Sequence, residues 1–144
     1  MTAELHGMQE AIEALKSLNN KLERKIIRQG LRAGAKVLKS AAQSEAPERT
    51  GLLKSSIKVR AGKRTKNSIS VNVATSANDF QGKAFYAGFL LYGWRIGKRS
   101  LGDARKLQPA NNFFKRAFDA TGEQAAQTAI DTWKELVQEE TGKK

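Results

Sequence analysis

The spacing of apolar residues changes twice along this chain, and this change sets the fold class. Residues 8–45 place apolar side chains every three or four positions, residues 56–73 alternate apolar and polar side chains, and the last third returns to the first spacing. Alternation is typical of a strand with one solvated face, whereas a spacing of three and four is typical of an amphipathic helix. The pattern predicts an α+β fold in which helices flank a small antiparallel sheet.

The N-terminal part, residues 8–45, is predicted to be helical. Asn19-Asn20 is either a break in the pattern or a polar patch, and Ala46-Pro47 ends the pattern. Gly30 and Gly34 lie on the apolar side of the second run, where small residues would allow another element to pack closely. The other side carries mostly cations: Lys21, Lys25, Arg28, Arg32, Lys36 and Lys39. The sequence leaves open whether this basic side is merely solvated or has a function.

Residues 52–94 are predicted to form the sheet, with about three to four strands. Ser56–Arg60 and Ser68–Val73 alternate in polarity, and the segment Ala61–Asn67 between them is a basic hairpin tip. Phe85–Trp94 is apolar and aromatic, so a third strand buried on both faces is expected. Thr50-Gly51 is a predicted turn that leads from helix into sheet.

A basic loop over residues 95–111 and a long helix over residues 112–140 complete the predicted order. The helix has an apolar stripe at spacings of three, four and seven: Phe114, Ala117, Phe118, Ala125, Ala129, Trp133, Leu136 and Val137. A chain of 144 residues fits one domain, residues 1–144. The longest apolar run, Ala84–Tyr92, is about half of the roughly 20 residues that a membrane helix needs, so no membrane contact is expected.

Side chains suited to catalysis or metal binding are scarce. The chain has no Cys and a single His, His6. Disulfides, thiolate metal sites and a Cys nucleophile are therefore excluded, and sites built from several His residues are nearly so. The acidic residues show no spacing that forces two carboxylates together, and the glycines form no phosphate-binding motif. The sequence predicts no catalytic residue, no metal site and no cofactor.

Positive charge is concentrated in the middle of the chain. The net charge is +12, with +15 in residues 20–106, −2 before them and −1 after them. Such a field favours a polyanion, most simply nucleic acid. The candidate DNA-facing residues are Lys58, Arg60, Lys63, Arg64, Lys66, Arg95, Lys98 and Arg99. The alternative is that these charges protect an edge strand from aggregation. For nucleic acid, the basic clusters support only non-specific attraction to its backbone.

Aromatic residues are the candidates for contact between subunits. An aromatic run in the third predicted strand is expected to be part core and part interface. Two more aromatic residues open the last predicted helix. The candidate interface residues are Phe85, Tyr86, Phe89, Tyr92, Trp94, Phe113 and Phe114.

Three short blocks of the sequence resemble a phage family. Ala46-Pro47, Thr50-Gly51-Leu52 and Ser55-Ser56-Ile57 resemble its AP-x-x-TG-x-L-x-x-SI signature. Phe85-Tyr86-Ala87 with Leu90-Leu91-Tyr92-Gly93 resembles a second block, and Asn112–Phe118 resembles a third. Leu91, Trp94 and Asn112 depart from the Glu, Thr and Pro that are usual there. The family is the tail-component, or tail-completion, proteins of long-tailed double-stranded-DNA phages, and the resemblance covers about residues 8–137.

The resemblance implies a non-enzymatic part of the phage neck. Family membership implies a homo-oligomeric ring, commonly of six subunits, that completes the tail and joins it to the head connector around the DNA channel. The implied partners are tail-tube or terminator proteins, connector proteins and double-stranded DNA, and the implied location is the virion, with the host cytoplasm during assembly. In such a ring, the hairpin Lys58–Lys66 is expected to approach the lumen.

Two other functional classes stay open. A free, non-specific DNA-binding protein of phage or bacterial origin would bind bare DNA with a strong salt dependence. A small nuclease would need clustered acidic residues and a metal ion.

Overall fold

A computed structural model describes residues 7–48, 51–63, 65–66, 68–75, 94–96, 106–108 and 111–143, with the backbone alone for 94–96 and 106–108. The helices are α1 (Met8–Lys16), α2 (Asn20–Glu45), α3 (Leu52–Ser56) and α4 (Phe113–Thr141). The strands are β1 (Ile57–Ala61), β2 (Val71–Thr75), β3 (Trp94–Ile96) and β4 (Lys106–Gln108). This order of N-terminal helices, antiparallel strands and a long C-terminal helix confirms the predicted α+β class.

Local sequence signals set both ends of α2. The Asn19 side chain caps the helix by accepting a hydrogen bond of 3.1 Å from the backbone N–H of Lys21. This bond satisfies one of the amides that has no partner within the first turn. At the other end, Ala46 adopts an extended conformation directly before Pro47, as residues preceding proline usually do. The helical region therefore stops at Ala46-Pro47 as predicted, and of the two interpretations of Asn19-Asn20 the structure shows the break.

Helices α2 and α4 pack against each other in antiparallel directions. The Trp133 indole N–H donates to the Ile27 carbonyl at 3.1 Å near the start of α2, and Glu45 pairs with Arg116 at 3.0 Å near its end. Between these contacts, a Cβ atom built on Gly34 would lie 2.5 Å from the Ala125 carbonyl oxygen. Only glycine therefore permits this approach of the two backbones, which confirms the close packing expected at Gly30 and Gly34.

Two apolar clusters lie toward the two ends of this helix pair. One joins the C-terminal half of α2 to α3, β1 and the start of α4 and contains Ala42, Ala46, Leu53, Ile57, Phe113 and Ala117. The other joins α1, the start of α2 and the end of α4 and contains Leu15, Ile26 and Val137. The two clusters therefore hold β1 and α1 at opposite ends of the α2–α4 pair.

Strands β1 and β2 form an antiparallel hairpin whose alternating faces were predicted. Val59 lies opposite Val73, and Arg60 lies opposite Asn72. Ile57 is buried and Val59 half-buried, whereas Lys58 and Arg60 are exposed. One face of the hairpin therefore contributes to the core while the other presents cations to solvent.

The sheet itself differs from the prediction. A single sheet of about three to four strands was expected, but the four described strands form two antiparallel pairs, β1 with β2 and β3 with β4. Strands β3 and β4 fall largely within residues 95–111, which were predicted as a basic loop. Each is only three residues long, too short for alternation to reveal. Of the predicted third strand, Phe85–Trp94, only Trp94 lies within the described residues.

Residues 52–56 form helix α3, although the sheet was predicted to begin at Leu52. Gly51 precedes this helix with a φ of 72°, in the left-handed region that favours glycine. The Ser55 and Ser56 hydroxyls donate to the carbonyls of Leu52 and Leu53 at 2.9 and 2.7 Å. A single helical turn held by such local bonds leaves no hydrophobic periodicity in the sequence.

Candidate nucleic-acid interface and subunit surface

The β1–β2 hairpin projects a polar tip beyond its two strands. The Gly62 amide donates to the Ser70 carbonyl at 2.9 Å, which continues the strand register by one further pair. Nearer the tip, the Thr65 amide donates to the Ser68 carbonyl at 3.3 Å, and the two hydroxyls lie 2.6 Å apart. Backbone and hydroxyl bonds therefore join the two sides of the loop at its described residues.

The described cations of the hairpin are exposed. Lys58 and Arg60 lie on one face of β1, and Lys63 and Lys66 lie in the loop. Arg64, Lys98 and Arg99 fall outside the described residues, and Arg95 is described by its backbone alone, in β3. The structure therefore brings four of the eight predicted DNA-facing residues onto one hairpin.

Helix α2 touches the tip of this hairpin. The Arg24 guanidinium, in the second turn of α2, donates a hydrogen bond to the backbone carbonyl of Lys66. The contact joins residues far apart in sequence and places the hairpin tip beside the N-terminal part of α2. The cations at the hairpin tip, Lys63 and Lys66, therefore lie near the N-terminal cations of α2, a relation that the sequence alone did not predict.

An open groove of about 840 Å³ lies between α2, β2 and the first half of α4. Its lining is mostly apolar and consists largely of small residues, among them Gly34, Ala35, Ala42, Ala125 and Ala129. Phe114 and Phe118 also line it. A groove of this composition exposes apolar surface that a partner could cover.

Phe118 is the most exposed large apolar side chain in the described part of the chain, at 60%. The sequence placed it on the apolar stripe of α4, and helix geometry does put it on the same side as Ala125 and Ala129. Phe118 also lines the groove, where its ring is largely exposed. The stripe thus predicted the face of Phe118 correctly but not its exposure.

The predicted interface aromatics occupy different environments. Phe113 is fully buried in the chain's own core, so its side chain offers no surface to a second subunit here. Phe114 is half-buried, and its ring stacks on that of Phe113 with centroids 4.6 Å apart. Phe85, Tyr86, Phe89 and Tyr92 lie outside the described residues, and Trp94 is described by its backbone in β3.

No group that could hold a metal ion occurs among the described residues. Three or more His, Cys, Asp or Glu side chains nowhere gather within that part of the chain. His6 falls outside it. None of the described helices is long and apolar enough to cross a membrane. The features that the structure does bring together are thus a basic hairpin, a basic helix and an apolar groove.

A family profile described as "Bacteriophage HK97-gp10, putative tail-component" matches residues 9–93, more than half of the chain. The chain belongs to the HK97-gp10-like family of phage tail components. No curated protein and no solved structure matches it.

The family match covers the helices and hairpin that carry most of the positive charge. It begins in α1, spans α2, α3, β1 and β2, and ends just before β3. Helix α4, which supplies one wall of the groove, lies beyond it. The third block of the resemblance, Asn112–Phe118, lies beyond it as well, so family membership rests on the first two blocks and the leading helices.

Proposed function

We propose that this chain is a non-enzymatic structural subunit that forms a ring at the end of a phage tail. In this position it completes the tail and joins it to the head connector, around the channel through which DNA passes. The observation that carries the proposal is the match of residues 9–93 to a tail-component family. A hexamer is the proposed ring, with tail-tube or terminator proteins on one side and connector proteins on the other.

The proposed assembly path begins in the host cytoplasm and ends in the virion. A ring subunit must carry a surface for its neighbour, and the groove with Phe118 supports such a role because exposed apolar patches mark protein contacts. We propose a second copy of the chain as the occupant of this groove.

The proposed contact is head-to-tail, so that the groove of one copy meets a different face of the next copy. Head-to-tail contacts close into rings when the rotation between copies permits.

The basic hairpin is the proposed lumen-facing element. Its exposed cations would attract passing DNA without gripping it, because interactions of exposed charges are weak and screened by salt. A reconstruction of the particle tests this placement. Hairpin residues 58–66 should face the channel, and finding them on the outer rim of the ring would contradict it.

Antibody labelling of purified particles tests the neck position. Gold particles bound to an antibody against this chain should appear at the head–tail junction, with particles from an infection lacking the gene as the unlabelled control. Labelling confined to the distal tail tip would contradict the neck position, and absence of the chain from washed particles would contradict the structural role itself.

A free DNA-binding protein is the second candidate, favoured by the net charge of +12. This function predicts that the chain remains with DNA in the lysate and is absent from purified particles. The labelling experiment therefore separates the two candidates.

A further inference from the structure

Six cations form a continuous stripe along one side of α2, which we call the α2 stripe: Lys21, Lys25, Arg28, Arg32, Lys36 and Lys39. At 100° per residue they fall within an arc of about 80° and extend over about 27 Å of helix. Every position within that arc from 21 to 39 is Lys or Arg. The stripe is therefore a row of positive charge with no other residue type in it.

The stripe faces away from the core. The buried residues Ile26, Gly30 and Gly34 lie on the side that packs against α4, and the buried residues Ala35 and Ala42 lie between that side and the edge of the stripe. Lys21, Lys25, Arg32 and Lys36 are exposed, and Arg28 and Lys39 are half-buried. A partner can thus reach the whole row without any change in the packing of the two long helices.

Neither acidic residue of α2 pairs with the stripe. Glu45 pairs with Arg116 of α4, and Glu23 lies on the buried side of the helix by its position in the helical repeat. Within the described part of the chain, no ion pair or hydrogen bond joins any side chain of the α2 stripe to another residue. Like charges three and four residues apart destabilise a helix, so six in a row, without an acidic partner among the described residues, act against folding.

We propose that the α2 stripe binds the phosphate backbone of double-stranded DNA. A duplex presents one negative charge per roughly 1.7 Å of its axis, and a straight row of cations on a rigid helix can lie along it. The tip of the basic hairpin, held beside α2 by the bond from Arg24 to Lys66, extends the same positive region.

Duplex DNA fits the stripe better than other acidic partners do. The centre of a protein interface is usually rich in aromatic residues and poor in Lys, whereas the stripe contains only Lys and Arg. A single-strand binder stacks bases on aromatic side chains, and the stripe has none. Phosphate contacts carry no sequence information, so the binding is non-specific.

This inference deepens the proposed function, since DNA is the polyanion that a subunit around the channel meets. Binding to DNA in solution does not require ring formation, however. The two proposals can therefore fail independently.

The test compares two triple variants of the full chain with the same net charge. Lys25→Gln, Arg32→Gln and Lys36→Gln remove three exposed cations of the stripe, while Lys16→Gln, Lys115→Gln and Lys143→Gln remove three exposed cations elsewhere. Gln has a helix propensity close to those of Lys and Arg, so both variants should fold. Circular dichroism checks this before binding is measured.

Binding to a labelled 30-base-pair duplex of random sequence is followed by fluorescence anisotropy over a range of salt concentrations. We expect the stripe variant to bind at least tenfold more weakly at low salt and its slope of log K against log salt to be shallower by about 3, because each phosphate contact contributes about 0.9. The control variant should bind within about twofold of the parent chain. Equal losses in the two variants, or no loss in either, would overturn the proposal.

Two further arms separate the alternatives. If Lys63→Gln with Lys66→Gln abolishes binding while the stripe variant binds normally, the hairpin alone is the DNA surface and the stripe proposal fails, while the ring proposal stands. The second arm measures how well polyglutamate and unlabelled duplex displace the chain from the labelled duplex. If the two compete equally per charge, the stripe binds any acidic polymer, and this result contradicts the proposal of duplex DNA as its partner. Selective competition by the duplex supports the proposal.

Discussion

At the scale of single residues, the contact between α2 and α4 depends on two glycines, Gly30 and Gly34, which have no side chain. A Cβ atom on Gly34 would approach the Ala125 carbonyl oxygen to 2.5 Å, and one on Gly30 would approach the Ala129 carbonyl oxygen to 2.8 Å. These two oxygen atoms belong to the backbone and cannot rotate away, and a Cβ atom on Gly30 would also meet the indole ring of Trp133. The small residues therefore set the distance between the two long helices.

Replacing Gly34 by alanine should destabilise the protein. Overpacking of this kind costs about 1–3 kcal/mol, which exceeds the roughly 1 kcal/mol that alanine gains over glycine in helix propensity. Thermal denaturation should therefore show a lower Tm for Gly34→Ala.

Gly122 provides the matched control on the partner helix. A Cβ atom there would meet only the Phe118 ring, at 3.7 Å, which is ordinary contact. Gly122→Ala should therefore raise the free energy of unfolding by about 0.5–1 kcal/mol. A Gly34→Ala variant as stable as the parent chain would contradict the close approach of the helices.

Gly51 is required for its backbone conformation and not for space. Its φ is 72°, and no atom lies within 4 Å of a Cβ atom built on it. Gly51→Ala should lower the free energy of unfolding by about 1–2 kcal/mol, and Gly51→Asn by less, because Asn tolerates the left-handed region. Chemical denaturation measures both, and equal losses for the two variants would indicate a different cause.

At the scale of elements, the two long helices begin at asparagines that act differently. Asn19 accepts a hydrogen bond from the Lys21 amide at the start of α2, whereas the side chain of Asn112 makes no capping bond at the start of α4. The start of α2 therefore depends on its capping side chain, and the start of α4 does not.

Asn19→Ala should destabilise the protein by about 1 kcal/mol, the usual effect of removing an N-cap bond. Asn112→Ala should leave the free energy of unfolding nearly unchanged and serves as the control. Urea denaturation followed by circular dichroism measures both. Equal destabilisation would show that the cap of α2 contributes nothing specific.

Periodicity predicted the long elements because each is long enough to repeat its pattern. The apolar residues of α2 and α4 and the alternation in β1 each report one buried face. Helix α3 has five residues, little more than one helical turn, and strands β3 and β4 have three residues each, so none of them repeats its pattern in the sequence. The exposed positions of Lys58 and Arg60 were predicted for the same reason, since these residues alternate with Ile57 and Val59.

Parts of the candidate site depend on contacts between distant residues and could not be predicted. The bond from Arg24 to Lys66 joins α2 to the hairpin, and the groove exists because α2, β2 and α4 meet without filling it. Burial of Phe113 and exposure of Phe118 follow from the same tertiary arrangement. Helical spacing shows which residues lie on the apolar side of α4, but it does not show which of them other elements cover.

At the scale of the whole molecule, charge and apolar surface are distributed unevenly. The α2 stripe and the hairpin form one basic region, residues 117–141 of α4 are acidic, and the groove with Phe118 is apolar. A subunit that contacts both DNA and its own neighbours needs surfaces of these different kinds. We therefore propose that DNA contacts the basic region and that a second copy contacts the groove.

Phe118→Ser should weaken self-association without unfolding the subunit. The side chain is 60% exposed, so its removal costs the isolated subunit little, but it takes apolar area from the proposed contact. Sedimentation velocity across a range of concentrations should show dissociation at a concentration about tenfold or more higher than for the parent chain.

Met8→Ser is the control for that experiment. Met8 is the other exposed large apolar residue among those described, at 42%, and it lies on α1, outside the groove. Its replacement should leave the association unchanged. An equal effect of the two substitutions would contradict the groove as the contact surface.

The most direct test of the central claim, that this chain is a structural part of the phage tail, is electron microscopy of lysates from a phage that lacks its gene. The account predicts full heads and tails that remain unjoined, or tails of abnormal length, with normal particles restored when the gene is supplied from a plasmid. Normal infectious particles made without the chain would contradict it.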